Sequence, residues 1–178
     1  NHEMTATLRP IYEPMVVTPR DWTTPHDGGY ISSSIRPLKL VKVSSRGYYE
    51  ELATTEMPIV YAAVNAIQST AWQINTQVLT VLKQLWELGH ATAGLPAALG
   101  AEIPAKPFDI ETNEEARNDW KRAAAKMHQQ NTEERSKRAS VNFCIGTAER
   151  FNEFPRIYMP TQLDFRGRIY AVPAFNPQ

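Results

Sequence analysis

Residues 57–88, MPIVYAAVNAIQSTAWQINTQVLTVLKQLWEL, place Val60, Val64, Ile67, Ala71, Ile74, Val78, Val81, Leu85 and Leu88 at intervals of three and four. Side chains at that spacing share one face of an α-helix, so the stretch predicts one long amphipathic helix. Thr55 stands where a capping side chain would receive the first free N–H groups. Pro58 suits the first turn, where its missing N–H loses no partner. Gly89 can end the helix in a left-handed conformation. At 1.5 Å per residue the helix would be roughly 48 Å long, more than the width of a small domain. Val64, Ile67, Ile74, Val78 and Val81 are the positions expected to be at least partly buried.

A second helix begins after Asn113, a good capping residue, with Glu114 and Glu115 in the first turn where the helix dipole favours acid. Trp120, Ala123, Ala124 and Met127 form a narrow apolar stripe. The polar run 128–134 (HQQNTEE) interrupts it, and it resumes through Ala139, Phe143, Ile145 or Ala148, and Phe151. Between the helices, residues 89–112 carry Gly94, Pro96, Gly100, Pro104 and Pro107 and read as a linker with at most one turn near Leu95–Leu99. Two helical units, 57–88 and 113–153, joined by such a linker, make an antiparallel pair. Ahead of them, residues 8–30 hold four prolines and two glycines, an extended segment that must lie on something else. Residues 35–43 (IRPLKLVKV) alternate apolar and basic from Leu38 to Val43 and predict a short strand. After Phe154, Pro155 and Pro160 break helix, while Ile169, Tyr170, Ala171 and Val172 suit a strand. A strand so near the last residue reads as part of a longer or truncated protein. The fold class is therefore mainly α with a few short strands.

Composition narrows the function. Nineteen basic and nineteen acidic side chains cancel in 178 residues, so any nucleic-acid contact must rest on local patches rather than on a general basic excess. Cys144 is the single cysteine, which excludes an internal disulfide framework and gives no disulfide-linked partner. No apolar run is long enough to span a bilayer, so no membrane partner is expected. His2, His26, His90 and His128 are scattered and give no zinc pattern. No internal repeat and no Walker or dinucleotide-binding glycine loop is present.

Two clusters could carry chemistry. The first is Asp164-Phe165-Arg166-Gly167-Arg168. On a strand, Asp164, Arg166 and Arg168 would share one face with Phe165 opposite. Arginine holds phosphate through paired hydrogen bonds, a neighbouring carboxylate can orient it, and Gly167 would admit a close approach to the backbone. The plainer alternative is an Asp–Arg salt bridge in a glycine-containing turn. The second cluster is Arg135, Lys137 and Arg138, suited to phosphate. Its alternative is a solvated helix face beside Glu133 and Glu134. Trp72, Trp86 and Trp120 read as packing residues, Trp22 as a clamp for the extended segment near Gly28 and Gly29, and Cys144 as core rather than nucleophile.

Taken together and in order, PMVVTPRDW…GGY, RPLKLV, MPIVYAAVNAIQSTAWQIN, WKRAAAK, SKRASVNF and FP…LDFRGRIYAV…FNPQ resemble the single-subunit, phage-type DNA-directed RNA polymerases. The resemblance runs from about Leu8 to Gln178 and is weakest over the linker. It implies that residues 1–70 end an N-terminal domain, that 71–154 form a thumb-like helical region, and that 155–178 start the palm. It places Asp164, Gly167 and Arg168 on the family's D-x-x-G-R motif, which holds the hybrid and template, with Arg166 between them. It places Arg135, Lys137 and Arg138 on the basic part of the thumb. The implied partners are a DNA template and nascent RNA, in the cytoplasm of a bacterial host. The implied cofactor is Mg²⁺ in the full-length parent and none in this stretch, because the family's metal-binding aspartates, nucleotide-binding lysine and ribose-selecting tyrosine lie beyond the last residue here. No catalytic or metal residue is therefore expected, and Asp164 is not one of the metal-binding aspartates. The competing reading is a non-catalytic interaction module that binds a phage or host regulatory protein, which the zero net charge favours. An independent enzyme has no catalytic constellation to support it.

Overall fold

The structure is a computed structural model that describes residues 11–32, 35–89 and 91–178. In chain order its elements are β1 (Val41–Lys42), α1 (Arg46–Thr54), α2 (Pro58–Gln68), α3 (Thr76–Leu88), α4 (Glu114–Phe151), β2 (Thr161–Asp164) and β3 (Ile169–Ala171). The mainly helical class with a few short strands holds. The chain divides into two compact units, one built from the chain up to Ile74 together with Arg150–Gln178, the other from Asn75–Glu149.

In the first unit the strand order is β1-β2-β3. β1 runs parallel to β2 with Val41 opposite Leu163 and Lys42 opposite Asp164, and β2 and β3 form an antiparallel hairpin with Leu163 opposite Ile169. Trp22, Leu38, Leu40, Val41, Tyr49, Leu52, Val64 and Leu163 form its main core. The expected strand within 35–43 is reduced to Val41–Lys42, though Leu38 and Leu40 are buried as that alternation requires. Trp22 is the clamp: it is 1% exposed, and a Cβ on Gly28 would lie 2.2 Å from its ring. The extended segment is also tied to the end of the chain, where Met15 and Tyr158 exchange backbone hydrogen bonds of 2.8 and 2.7 Å. Helix α1 is an addition to the expected elements. Ser45 caps its start and Thr55 its end, so Thr55 is not the N-cap of the following helix. That helix, α2, starts at Pro58 without a side-chain cap.

The single helix expected over 57–88 does not form. Residues 69–75 separate α2 from α3, because the Trp72 backbone pairs with Ile157: each N–H donates to the other's carbonyl, at 2.9 and 2.8 Å. That pairing spends the hydrogen-bonding groups a helix would need. The expected burial holds only at Val64 and Ile74. Val64 is buried, but Ile67, Val78 and Val81 are 46%, 61% and 53% exposed, and Ile74 packs beside Phe151, Ile157 and Met159 instead of on a helix face. The face α2 buries carries Val64 and Gln68, with Met57, Val60 and Tyr61 against the core. Asn65 and Gln68 clasp the extended segment. Trp22 N–H donates to Asn65 Oδ1 (2.8 Å), Asn65 Nδ2 donates to the Trp22 carbonyl (3.0 Å), and Gln68 Nε2 donates to the Arg20 carbonyl (2.9 Å). Amide side chains here do what a neighbouring strand would do, satisfying backbone that is otherwise shut off from water.

In the second unit, α3 is capped by Asn75 and ends at Gly89 with φ 69°, as expected. Asn113 caps α4, its Oδ1 accepting from Ala116 N–H at 3.1 Å. Lys83 of α3 pairs with Glu149 of α4, and Trp86 lies 4.2 Å beneath the Arg138 guanidinium. Advancing along α3 thus retreats along α4, which makes the pair antiparallel, but only α3 takes part and not the whole of 57–88. The linker is laid back along α4 by polar side chains. Arg138 reaches the Pro96 carbonyl (3.2 Å), Asn131 exchanges two bonds with Ala101 (2.7 and 2.8 Å), Trp120 Nε1 reaches the Pro104 carbonyl (2.8 Å), and Arg117 the Ile110 and Glu111 carbonyls (2.8 and 2.7 Å). Positions 117, 120, 131 and 138 recur on one helix face, so this face receives an extended strap, and at Arg138 it meets α3 as well. Among the described residues no helix is long and apolar enough to cross a membrane.

Candidate nucleic-acid interface

Asp164 ends β2, Ile169 begins β3, and Phe165–Arg168 turn between them. The expected alternation of Asp164, Arg166 and Arg168 along one strand face does not occur, because the chain reverses at that point. A different geometry joins them. Asp164 Oδ1 accepts from the N–H groups of Arg166 (2.8 Å) and Arg168 (3.0 Å), and Oδ2 accepts from Arg168 Nε (2.8 Å) and forms an ion pair with Nη2 at 2.8 Å. The Asp164 N–H donates to the Arg168 carbonyl (2.9 Å), and the Gly167 N–H to the Asp164 carbonyl (3.0 Å). Gly167 has φ 81°, a left-handed conformation that glycine adopts without strain, so its first duty is to the turn. A Cβ there would meet nothing within 4 Å, so the backbone also stands open to a ligand.

The salt-bridged turn is thus present, and it leaves the cations accessible. The Asp164 side chain is 16% exposed, those of Arg166 and Arg168 60% and 54%. Loss of water pushes the Asp164 carboxyl up. The two N–H donors and the Arg168 guanidinium outweigh that and hold it down at about 2. Arg168 therefore carries its charge in a fixed orientation, with Nη1 free of the carboxylate. Arg166 Nε lies 3.6 Å from Asp164, too far for a hydrogen bond, and its guanidinium rests 5.2 Å from the Phe165 ring. Lys42 stands opposite Asp164 in the sheet register and brings a further cation to this edge of the sheet. Only the pairing of β1 with β2, across more than a hundred residues, brings it there; the one signal in the sequence is its place in a basic alternation.

The second predicted cluster is split in use. Arg138 is half-buried, covering Trp86 and holding Pro96, so it is a clamp on the linker. Lys137 pairs with Glu134 at 2.8 Å one helical turn away. Arg135 is exposed and meets no acidic partner among the described residues. The two clusters fall in different units. Trp86 and Trp120 are packing residues as expected, whereas Trp72 is 43% exposed. Cys144 is half-buried and burial pushes its thiol up, the behaviour of a core residue.

The donor set does not fit a divalent cation. Both oxygens of Asp164 are occupied by arginine donors, and among the described residues no group of three His, Cys, Asp or Glu side chains could hold a metal.

Residues 1–69 match the family described as DNA-directed RNA polymerase N-terminal. T7 RNA polymerase of Escherichia phage T7 is 40% identical over 174 residues, which are 97% of this chain and 20% of that protein. The DNA-directed RNA polymerase of Enterobacteria phage T3 is 40% identical over 175 residues, and that of Enterobacteria phage K11 38% identical over 174, each again over 97% of this chain. The chain spans about a fifth of the length of these relatives.

Proposed function

We propose that this chain, which belongs to the single-subunit, phage-type DNA-directed RNA polymerases, supplies grip on nucleic acid within an enzyme that joins ribonucleotides on a DNA template in a bacterial cytoplasm. The observation that carries the reading is the hairpin at Asp164–Arg168: a shielded carboxylate aims an exposed guanidinium, and the glycine beside it leaves the backbone open. Such a guanidinium suits a phosphate of the template or of the nascent RNA, a contact that positions a strand without reading its sequence. Lys42 and Arg166 add charge around it, and Arg135 offers a second contact from α4. Residues up to about 70 end the N-terminal domain, 71–154 form the thumb-like region and 155–178 start the palm. The division of the chain at Asn75 and Glu149 supports that boundary. Mg²⁺ belongs to the whole enzyme, where carboxylates outside this chain hold it and it stabilises charge on the transferring phosphate.

The test is the lifetime of a halted elongation complex made with the whole polymerase. Arg168→Ala shortens it by about ten- to hundredfold on every template, more steeply as salt rises, with promoter choice unchanged. Arg168→Lys restores it in part, keeping the charge and losing the planar fork. A wild-type lifetime for Arg168→Ala across the salt series leaves the hairpin a purely structural turn.

A further inference from the structure

In the first unit, the loop 20–29 is closed more firmly than a surface connection requires. Arg20 and Gly29 exchange two backbone hydrogen bonds, each 2.8 Å, and Gln68 takes the remaining lone pair of the Arg20 carbonyl. Gly28 lies flat against the Trp22 ring, and Gly29, at φ 84°, leaves a would-be Cβ 2.9 Å from Leu38. Larger residues at either glycine would push the loop off its bed. Inside the loop Asp27 turns to Thr23 and Thr24. Its Oδ1 accepts from both of their N–H groups (3.0 and 2.9 Å) and its Oδ2 from the Thr23 hydroxyl. Burial pushes its carboxyl up, but these donors prevail and hold it below the ordinary range.

Residues of this loop, of 30–32 and of 35–38 line a recess of about 310 Å³, among them Arg20, His26, Asp27, Tyr30, Ser32 and Arg36. Neither guanidinium meets a carboxylate among the described residues, and the acid in the wall has its oxygens taken up by the loop's own donors. A concave site in which two arginines outnumber the one carboxylate, its loop 20–29 held by paired backbone bonds, suits an anion. Resting on the reading that the chain works on nucleic acid, we propose that this recess is a second strand contact, in which Arg20 and Arg36 hold one phosphodiester. It is separate in sequence from the Asp164–Arg168 hairpin and shares no residue with it. Its chemistry is the phosphate alone, so it serves RNA and DNA strands alike.

The experiment measures binding of short fluorescent oligonucleotides, oligo(dT) and oligo(rU), to the 178-residue chain across a salt series. Arg20→Ala/Arg36→Ala weakens both by about tenfold at low salt and lowers the salt slope by about 0.7, the share of one phosphate neutralised on a single strand. Arg20→Lys/Arg36→Lys keeps the wild-type slope with weaker binding, which loop damage would not allow. Arg166→Ala/Arg168→Ala is measured in parallel. If that variant loses binding while the recess variant keeps the wild-type slope, this inference falls and the hairpin reading stands. If only the recess variant loses binding, the reverse holds. Loss confined to oligo(rU) also overturns the proposal, since it would assign the contact to the ribose hydroxyl. A chain that binds neither strand overturns both readings.

Discussion

Arg168 and Arg138 are the same side chain put to opposite uses. Arg168 sits in a hairpin whose carboxylate satisfies one edge of the guanidinium and leaves the other to solvent. Arg138 sits on α4 in a run of cations, but its plane covers Trp86 and its donor goes to the Pro96 carbonyl. Both lie beside glutamates or aspartates and both match a basic cluster in sequence. The difference lies in what the chain returns to each of them. The turn returns two N–H groups and the Arg168 guanidinium to Asp164 and holds it ionised, whereas a linker lies down on Arg138. Arg138 is tied to the fold by its ring contact and its bond to the Pro96 carbonyl, whereas Arg168 is aimed by a carboxylate and stays half exposed.

The comparison breaks first at Asp164. In the whole polymerase, Asp164→Asn removes the anion that aims Arg168 and weakens elongation complexes by about tenfold, less than removal of the arginine itself. The same aspartate sets a pH test. Its folded pKa is depressed from the ordinary 3.8 to about 2, so its support for the hairpin is complete above about pH 4 and is lost as pH falls through about 2. The Gly167 and Arg168 amide resonances of this chain should therefore hold steady to about pH 4 and shift with a midpoint near 2. A midpoint near 4 would mean that the carboxylate is not engaged.

Arg138→Ala tests the other half. It removes a cation–π interaction and a hydrogen bond to the Pro96 carbonyl and destabilises the second unit by about 1–2 kcal/mol, read by denaturant unfolding. Nucleic-acid binding should change no more than that destabilisation explains; a large binding defect at full stability would return Arg138 to the interface. A smaller effect is expected at Arg135. Arg135→Ala leaves stability within about 0.5 kcal/mol and lowers the salt slope of strand binding by roughly the share of one phosphate. Lys137→Ala should be the quietest. Its exposed pair with Glu134 adds little, so a measurable drop in thermal stability would show that the pair matters more than its exposure allows.

What is legible in the sequence follows from where each signal lies along the chain. Asn113 and Gly89 mark helix ends through bonds to residues three or four positions away, and both ends stand where the sequence predicts them. The D-x-x-G-R pattern is also readable, since Asp164, Gly167 and Arg168 are close enough in sequence to bond one another, although the chain turns where a strand is expected. The three-four periodicity over 57–88 misleads because it is a statement about side chains. The break at 69–75 is a backbone event, decided by the Trp72–Ile157 pairing across 85 positions that no local pattern encodes.

Alone, the sequence determined the family, the mainly helical class, the ends of α4 and the chemistry available at Asp164–Arg168. Each of these rests on residue identity or on bonds within a few positions. Tertiary structure decided which of those groups remain available. The clasp of Asn65 and Gln68 on residues 20–22, the register that sets Lys42 beside Asp164, and the linker that occupies Arg138 all join residues more than forty positions apart. A polar side chain's use depends on whether the returning backbone needs its hydrogen bond, and only the folded chain settles which backbone returns.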